Sequence, residues 1–215
     1  MLVTGSAESI SVSATDETTQ SEADQSIRKQ LQSVVEQKYV LVFSGFSGAG
    51  YKDEAGVAAL MTSIIKSHVL EYGAHNVVVV AGATPEGIGK VYEFAREQQV
   101  QTLGIVSNQA QPSDTSEHCQ TSVFVDDPEG NWKVLSSEGK SYIVSVAQMG
   151  LSGQIVFIGG GEVAASELNE ALELKIPMQI HSHYEPKTSS GRPDLRQWCN
   201  NNSDLLEQEG VVHHG

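Results

Sequence analysis

Apolar positions along this chain follow two alternating patterns. The short runs "KYVLVFSG", "NVVVVAGA", "VQTLGIVS" and "GQIVFIGGG" are apolar and β-branched at most positions, as strands buried on both faces are. Between them apolar residues recur at helical spacing. Val57, Leu60, Met61, Ile64, Ile65, His68 and Tyr72 form one stripe, and Gly73 is placed to end it. "TPEGIGKVYEFAREQ" predicts a turn and a helix, and "EVAASELNEALEL" a helix of good formers. "SVFVDD" predicts a fourth, shorter strand and "PMQIHS" the last one. "GKSYIVSVAQMG" fits a helix by its apolar spacing and a strand by its β-branched content, and the β–α rhythm favours helix. Ahead of the first strand, Ile27, Leu31, Val34 and Val35 predict a short leading helix over 27–37.

Alternation of this kind defines the α/β class and predicts a Rossmann-like three-layer α/β/α fold with a mainly parallel sheet. Three segments are expected. Residues 1–25, rich in Ser, Thr, Glu and Asp, predict a disordered acidic segment. Residues 26–185 are expected to form the Rossmann-like domain, and residues 186–215 a C-terminal helix and tail that Trp198 anchors to the body.

In open parallel sheets ligands bind beyond the carboxyl ends of the strands, where the strand order reverses. Each glycine cluster falls at such a strand end. The first loop, "SGFSGAGY", offers Ser44, Gly45, Ser47 and Gly48, with G-x-x-G-x-G spacing close to a dinucleotide fingerprint without matching it. The second, "AGATPEGIGK", offers Gly82, Thr84 and Gly87, with Thr84 placed to cap the next helix and Pro85 at its first position. The third is Gly159, Gly160 and Gly161, followed by Glu162. Bare amides at a helix N-terminus, reinforced by the helix dipole, favour an anion such as phosphate. Glu162 occupies the same field, and its simpler role is to cap the helix or complement its dipole.

Composition narrows the partners. A formal net charge of −14 over 215 residues leaves no basic stripe for a nucleic-acid backbone. No apolar run is long enough to cross a bilayer, no secretory signal pattern opens the chain, and Cys119 and Cys199 form no CxxC pair, so a cytoplasmic protein with free thiols is expected. His181 and His183 share a strand face, but no third ligand cluster accompanies them, and neither a metal nor a cofactor is called for. His213 and His214 read as a polar tail, and Asp126 and Asp127 as ordinary turn chemistry before "PEGN".

The order of motifs resembles the lysine-decarboxylase-like proteins, the "Lonely Guy" cytokinin-activating phosphoribohydrolases. The likeness lies in the Ser44–Tyr51 loop, "AGATPEGIGK" and "QTLGIV", and in "GGGEVAASEL", which is similar to the family's PGGxGTxxE hallmark. It covers roughly Lys38 to Ser182. It implies a Rossmann-like fold, a nucleotide or nucleotide-derived ligand and a homodimer, and it puts Glu167 on the hallmark's final, catalytic glutamate. Val163 and Ala164 stand where the family has Gly and Thr, and in place of an upstream Arg-Lys pair there is only Lys140, displaced by about a turn. The expectation is a binder of a nucleotide-like phosphate ligand at the glycine loops. The alternatives are a hydrolase, a nucleoside 5′-monophosphate phosphoribohydrolase using Glu167, and an interaction module without ligand.

Overall fold

The computed structural model describes residues 13–188, 191 and 194–214. Strand β1 (Tyr39–Gly45) lies at the middle of a sheet in which every neighbouring pair is parallel. The others are β2 (Val77–Ala81), β3 (Gln101–Ser107), β4 (Thr121–Val125), β5 (Ser152–Ile158), β6 (Met178–His181) and β7 (His213–His214). Their spatial order is β4-β3-β2-β1-β5-β6-β7. The chain therefore winds outward from β1 in one direction, then returns to its other side at β5. This is the reversal that opens a crevice at the carboxyl ends of β1 and β5. The register there runs from Tyr39 opposite Ser152 to Gly45 opposite Ile158.

Alternate residues of β1, β2 and β5 feed two apolar layers. Val40 and Val42 face one, with α1 (Ser13–Val35), α4 (Tyr142–Ser145), α5 (Glu162–Glu173), α6 (Leu195–Asn201) and α7 (Ser203–Gln208) contributing to the same cluster. Leu41 and Phe43 face the other, against α2 (Glu54–Tyr72) and α3 (Val91–Glu97). All four of these strand residues are fully buried, and each such side chain contributes roughly 1.5–3 kcal/mol relative to exposure. The predicted three-layer fold is the one observed. "GKSYIVSVAQMG" is helical, as α4 followed by a 3₁₀ turn, Val146–Gln148. Gly73, at φ +84°, ends α2.

Three expectations are corrected. Helix α1 begins at Ser13, inside the stretch expected to be disordered, and residues 1–12 lie outside the described ones. Its attachment is explicit at Asp24, whose carboxylate accepts from the Ser137 amide (3.0 Å), from the Ser137 hydroxyl and from Tyr142 Oη (2.5 Å). His213 and His214, expected to lie in a polar tail, form β7, in which they pair with Ile180 and His181. Thr84 caps no helix. Its hydroxyl donates to the Glu86 carbonyl (3.0 Å), and a 3₁₀ turn over Gly87–Lys90 leads into α3. Trp198 packs against the first apolar layer beside buried Leu195 and Cys199 of α6. Among the described residues no helix is long and apolar enough to cross a membrane.

Candidate functional site

Two adjoining cavities occupy the crevice. The inner chamber, of about 180 Å³, has apolar walls that include Phe43, Ile105 and Ile143, and also exposes Ser44, Ser107 and Glu167. The outer cleft, of about 560 Å³, is lined by Phe46, Lys133, Gly161 and Glu162 among others. Gly45, Ser47, Trp132, Val163 and Ala164 line both.

Glu167 is on the buried face of α5, in helical step with Ala164, Leu168 and Ala171. A glutamate there interrupts an otherwise apolar stripe. Its carboxylate accepts from Ser44 Oγ at 2.6 Å and from Ser141 Oγ at 3.5 Å. Ser141 is itself held by its amide, which donates to Glu170 (3.0 Å). Burial pushes the Glu167 carboxyl up to about 7, against the Ser44 hydrogen bond and assisted by the charge of Glu170. Near neutral pH the group is thus divided between its acid and its anion. It can donate a hydrogen bond to a ligand in one form and accept one in the other.

Gly161 is the N-cap of α5 and carries no side-chain cap. The first-turn amides of a helix have no intrahelical acceptors, and this first turn borders the outer cleft through Gly161, Glu162 and Val163. Of the residues singled out in the sequence, Ser44, Gly45, Ser47, Gly82, Thr84 and Glu167 reach the inner chamber, and Gly161 and Glu162 the outer cleft. Gly48, Gly87, Gly159 and Gly160 line neither. Gly48 is solvent-exposed. Gly87 and Gly160 serve the packing of the loops. A Cβ on Gly87 would fall 2.1 Å from the Ser47 carbonyl, where the first and second loops are joined by the Ile88 amide donating to the Phe46 carbonyl (2.7 Å). A Cβ on Gly160, at φ +128°, would fall 2.4 Å from Ala164 Cβ.

Sequence reasoning missed Ser107, Trp132, Lys133 and Ser141. Trp132 and Lys133 follow a turn whose density of Asp, Pro, Gly and Asn was visible, but nothing local shows that it folds over β1. Lys140 lines neither chamber and pairs with Glu173 at 3.9 Å. Asp127 makes the turn, as expected. Burial alone would raise its carboxyl, but bonds from the Ser107 hydroxyl and the amides of Trp132, Asn131 and Gly130 outweigh it and hold the group below the ordinary range. His181 stacks on His214 with ring centroids 4.8 Å apart, and the described residues contain no cluster of three side chains suited to a metal ion.

A parallel Rossmann-like α/β/α sheet with a cleft at its switch point is the class that this geometry defines. No protein-family model and no curated protein matches the sequence. Among solved structures the chain is similar to the molybdenum cofactor carrier protein of Chlamydomonas reinhardtii, at 16% identity and TM-score 0.52 over 82% of this chain and 88% of that one. It is also similar to the molybdenum cofactor binding protein of the phototrophic bacterium Rippkaea orientalis, at 16% identity and TM-score 0.55 over 83% and 90%. At this identity the likeness is one of fold. The shared architecture is the Rossmann-like one that the resemblance to the lysine-decarboxylase-like superfamily implies.

Proposed function

We propose that this protein binds a nucleotide or nucleotide-derived phosphate ligand across the inner chamber and the outer cleft. The observation that carries the reading is the juxtaposition at one switch point of a buried, protonatable carboxyl, Glu167, with an uncapped helix N-terminus at Gly161. Ligand pockets of about 300–1,000 Å³ are typical. The inner chamber is smaller than that and the outer cleft falls within it, so a whole nucleotide that reaches Glu167 extends through both cavities. The phosphate belongs at the first-turn amides of α5, where bare N–H groups and the helix dipole favour an anion. Lys133 adds a cation to the same cleft and has no ion-pair partner among the described residues. Molybdenum cofactor, which the two structural neighbours are described as carrying or binding, is one candidate of this class. The resemblance further implies a homodimer, which sedimentation equilibrium checks.

A hydrolase is the second reading, favoured by the Glu167 carboxyl near 7, a value suited to general acid–base work. Cleaving an N-glycosidic bond also needs fixed groups for the charge that develops on the sugar and the base. The basic side chain nearest the family's Arg-Lys position, Lys140, lies outside both cavities, 3.9 Å from Glu173. Binding without turnover is therefore expected. Calorimetry with adenosine and guanosine 5′-monophosphate, alongside native mass spectrometry of gently purified protein, tests the reading. Heat of binding or a retained nucleotide supports it, and the absence of both overturns it. Release of free base that disappears in Glu167→Gln would replace it with the hydrolase.

A further inference from the structure

We infer that Trp132 is a preordered stacking platform for the flat heteroaromatic ring of the ligand; this rests on the binding reading above and specifies its ring. The inference starts from where the two tryptophans of the chain lie. Trp198 packs against the core, whereas Trp132 is 58% exposed. Leaving so large an apolar surface in water forgoes the stabilisation of burying it. The chain does not lack an apolar layer nearby, since Val134, two residues on, is buried in it.

The backbone under Trp132 is also unusual. Its φ is +63°, a left-handed conformation seldom adopted by a bulky residue. Such a conformation persists where the surroundings enforce it, and outliers of this kind cluster at ligand sites. Here Asp127 is the enforcing group. Its buried carboxylate accepts from the Trp132 amide at 2.8 Å, from the Asn131 amide at 3.3 Å and from Ser107 Oγ at 2.8 Å. Gln109 Nε2 donates to the Asp127 carbonyl (2.8 Å), and the Asp127 amide donates to Asn108 Oδ1 (3.1 Å). The turn is thus tied to the end of β3, and Trp132 is delivered to the mouth of the crevice.

Its position then gives the chemistry. Trp132 lines both cavities, and Phe46 lines the outer one with it. An indole face at the junction of an apolar chamber and a phosphate-favouring helix end suits a flat ring carrying a phosphate on a short tether. Stacking of a base on an aromatic side chain tolerates any heterocycle, because every base has a π-face. The tie through Asp127 fixes the backbone of Trp132, so little ordering of the turn is left to be done on binding.

The test compares adenosine 5′-monophosphate with ribose 5-phosphate, which keeps the tether and loses the ring. Trp132→Ala is expected to weaken the nucleotide at least about fivefold, the lower range for loss of one stacked base, and to leave ribose 5-phosphate unchanged. Trp132→Phe restores most of the affinity. In a Trp198→Phe background, the remaining indole fluorescence changes on addition of the nucleotide and does not change with ribose 5-phosphate. Nucleotide binding as tight in Trp132→Ala as in wild type, or equal losses for both probes, overturns the stacking role and leaves the binding reading standing. A wild-type protein that takes up neither probe overturns the stacking role, and the binding reading falls with it only where guanosine 5′-monophosphate and a retained nucleotide are absent too.

Discussion

Two buried titratable side chains lie at the carboxyl ends of neighbouring strands or on the helix between them, and the protein treats them differently. Glu167 on α5 and His181 on β6 are both 8% exposed, and burial drives each toward its neutral form. Glu167 has two hydroxyl partners, Ser44 and Ser141, and borders an open chamber. His181 has a ring nitrogen, Nε2, without a hydrogen-bond partner, and its ring is covered by His214 in a nearly parallel stack. Desolvation alone does not mark a site. What separates them is access: the glutamate faces space that a ligand can fill, and the histidine is part of the seam that fastens β7 to the sheet.

The largest effect comes from breaking the frame on the Glu167 side. Gly160→Val sets a branched side chain at φ +128° and puts its Cβ 2.4 Å from Ala164 Cβ, at the start of α5. Strained backbone and overpacking each cost about 1–3 kcal/mol, so the variant is expected to lose about 3 kcal/mol or more by urea denaturation. A variant as stable as wild type would show that the third loop does not press on the helix.

Glu167→Gln sharpens the comparison through its pH dependence. The folded carboxyl titrates at about 7 against an ordinary 4.5, so the folded chain keeps a proton that the unfolded chain releases. That stabilisation is complete below the unfolded value and is lost as pH rises through about 7. Glutamine cannot ionise and can still accept from Ser44. The variant should therefore gain on the order of 3 kcal/mol relative to wild type at about pH 8, with little gain near pH 4. Denaturation midpoints at the two pH values decide it, and parallel midpoints would mean that solvent reaches the carboxyl.

His181 behaves with the opposite sign. Burial, followed by the nearby charges of His214 and His183, lowers it from 6.5 to about 4, so the unfolded chain binds the proton first. Stability is present above about pH 6.5 and is lost as pH falls through about 4. His181→Phe keeps the stack on His214 and removes both the titration and the unpaired nitrogen. It should gain about 1–2 kcal/mol near neutrality, the scale of a buried unsatisfied polar group, and flatten the acid limb of the stability profile. An acid limb identical to wild type would show that His181 is not the source of that loss and would point to His213, which burial also lowers.

The same two regions show what local sequence carries. The strands of the switch point were legible because runs such as Val77–Ala81 are apolar at every position, a pattern that only burial on both faces explains. Glu167 was legible only through the resemblance of "GGGEVAASEL" to a family hallmark. The β7 pairing was not, since two histidines have no strand pattern and become a strand only through the backbone of β6, more than thirty residues earlier. Trp132 was not, because its significance lies in a positive φ and in a turn tied to β3. Gly87 and Gly160 looked like ligand contacts, because glycine answers equally to a close ligand and to close packing.

The smallest predicted effect concerns α1, whose first half was expected to be unstructured. Its composition is polar, and helix propensity in such a stretch is too weak to hold an isolated helix. What fixes it is distant: Asp24 reaches Ser137 and Tyr142 across the chain. Burial opposes ionisation there, but hydrogen bonds from Ser137 and Tyr142, with the charge of Arg28, hold the carboxyl below its ordinary value. The contribution is thus present above about pH 4 and lost as pH falls through the lowered value. Hydrogen bonds to a charged group are worth about 1.5–3 kcal/mol, and partial exposure of Asp24 discounts that. Asp24→Ala is expected to lose about 1 kcal/mol at neutral pH, and a chain beginning at Ser26 about the same. Equal losses would locate the attachment of this helical arm at Asp24. A truncation that loses clearly more than the point variant would place further contacts N-terminal to Asp24, and one that loses nothing would detach the arm from the fold.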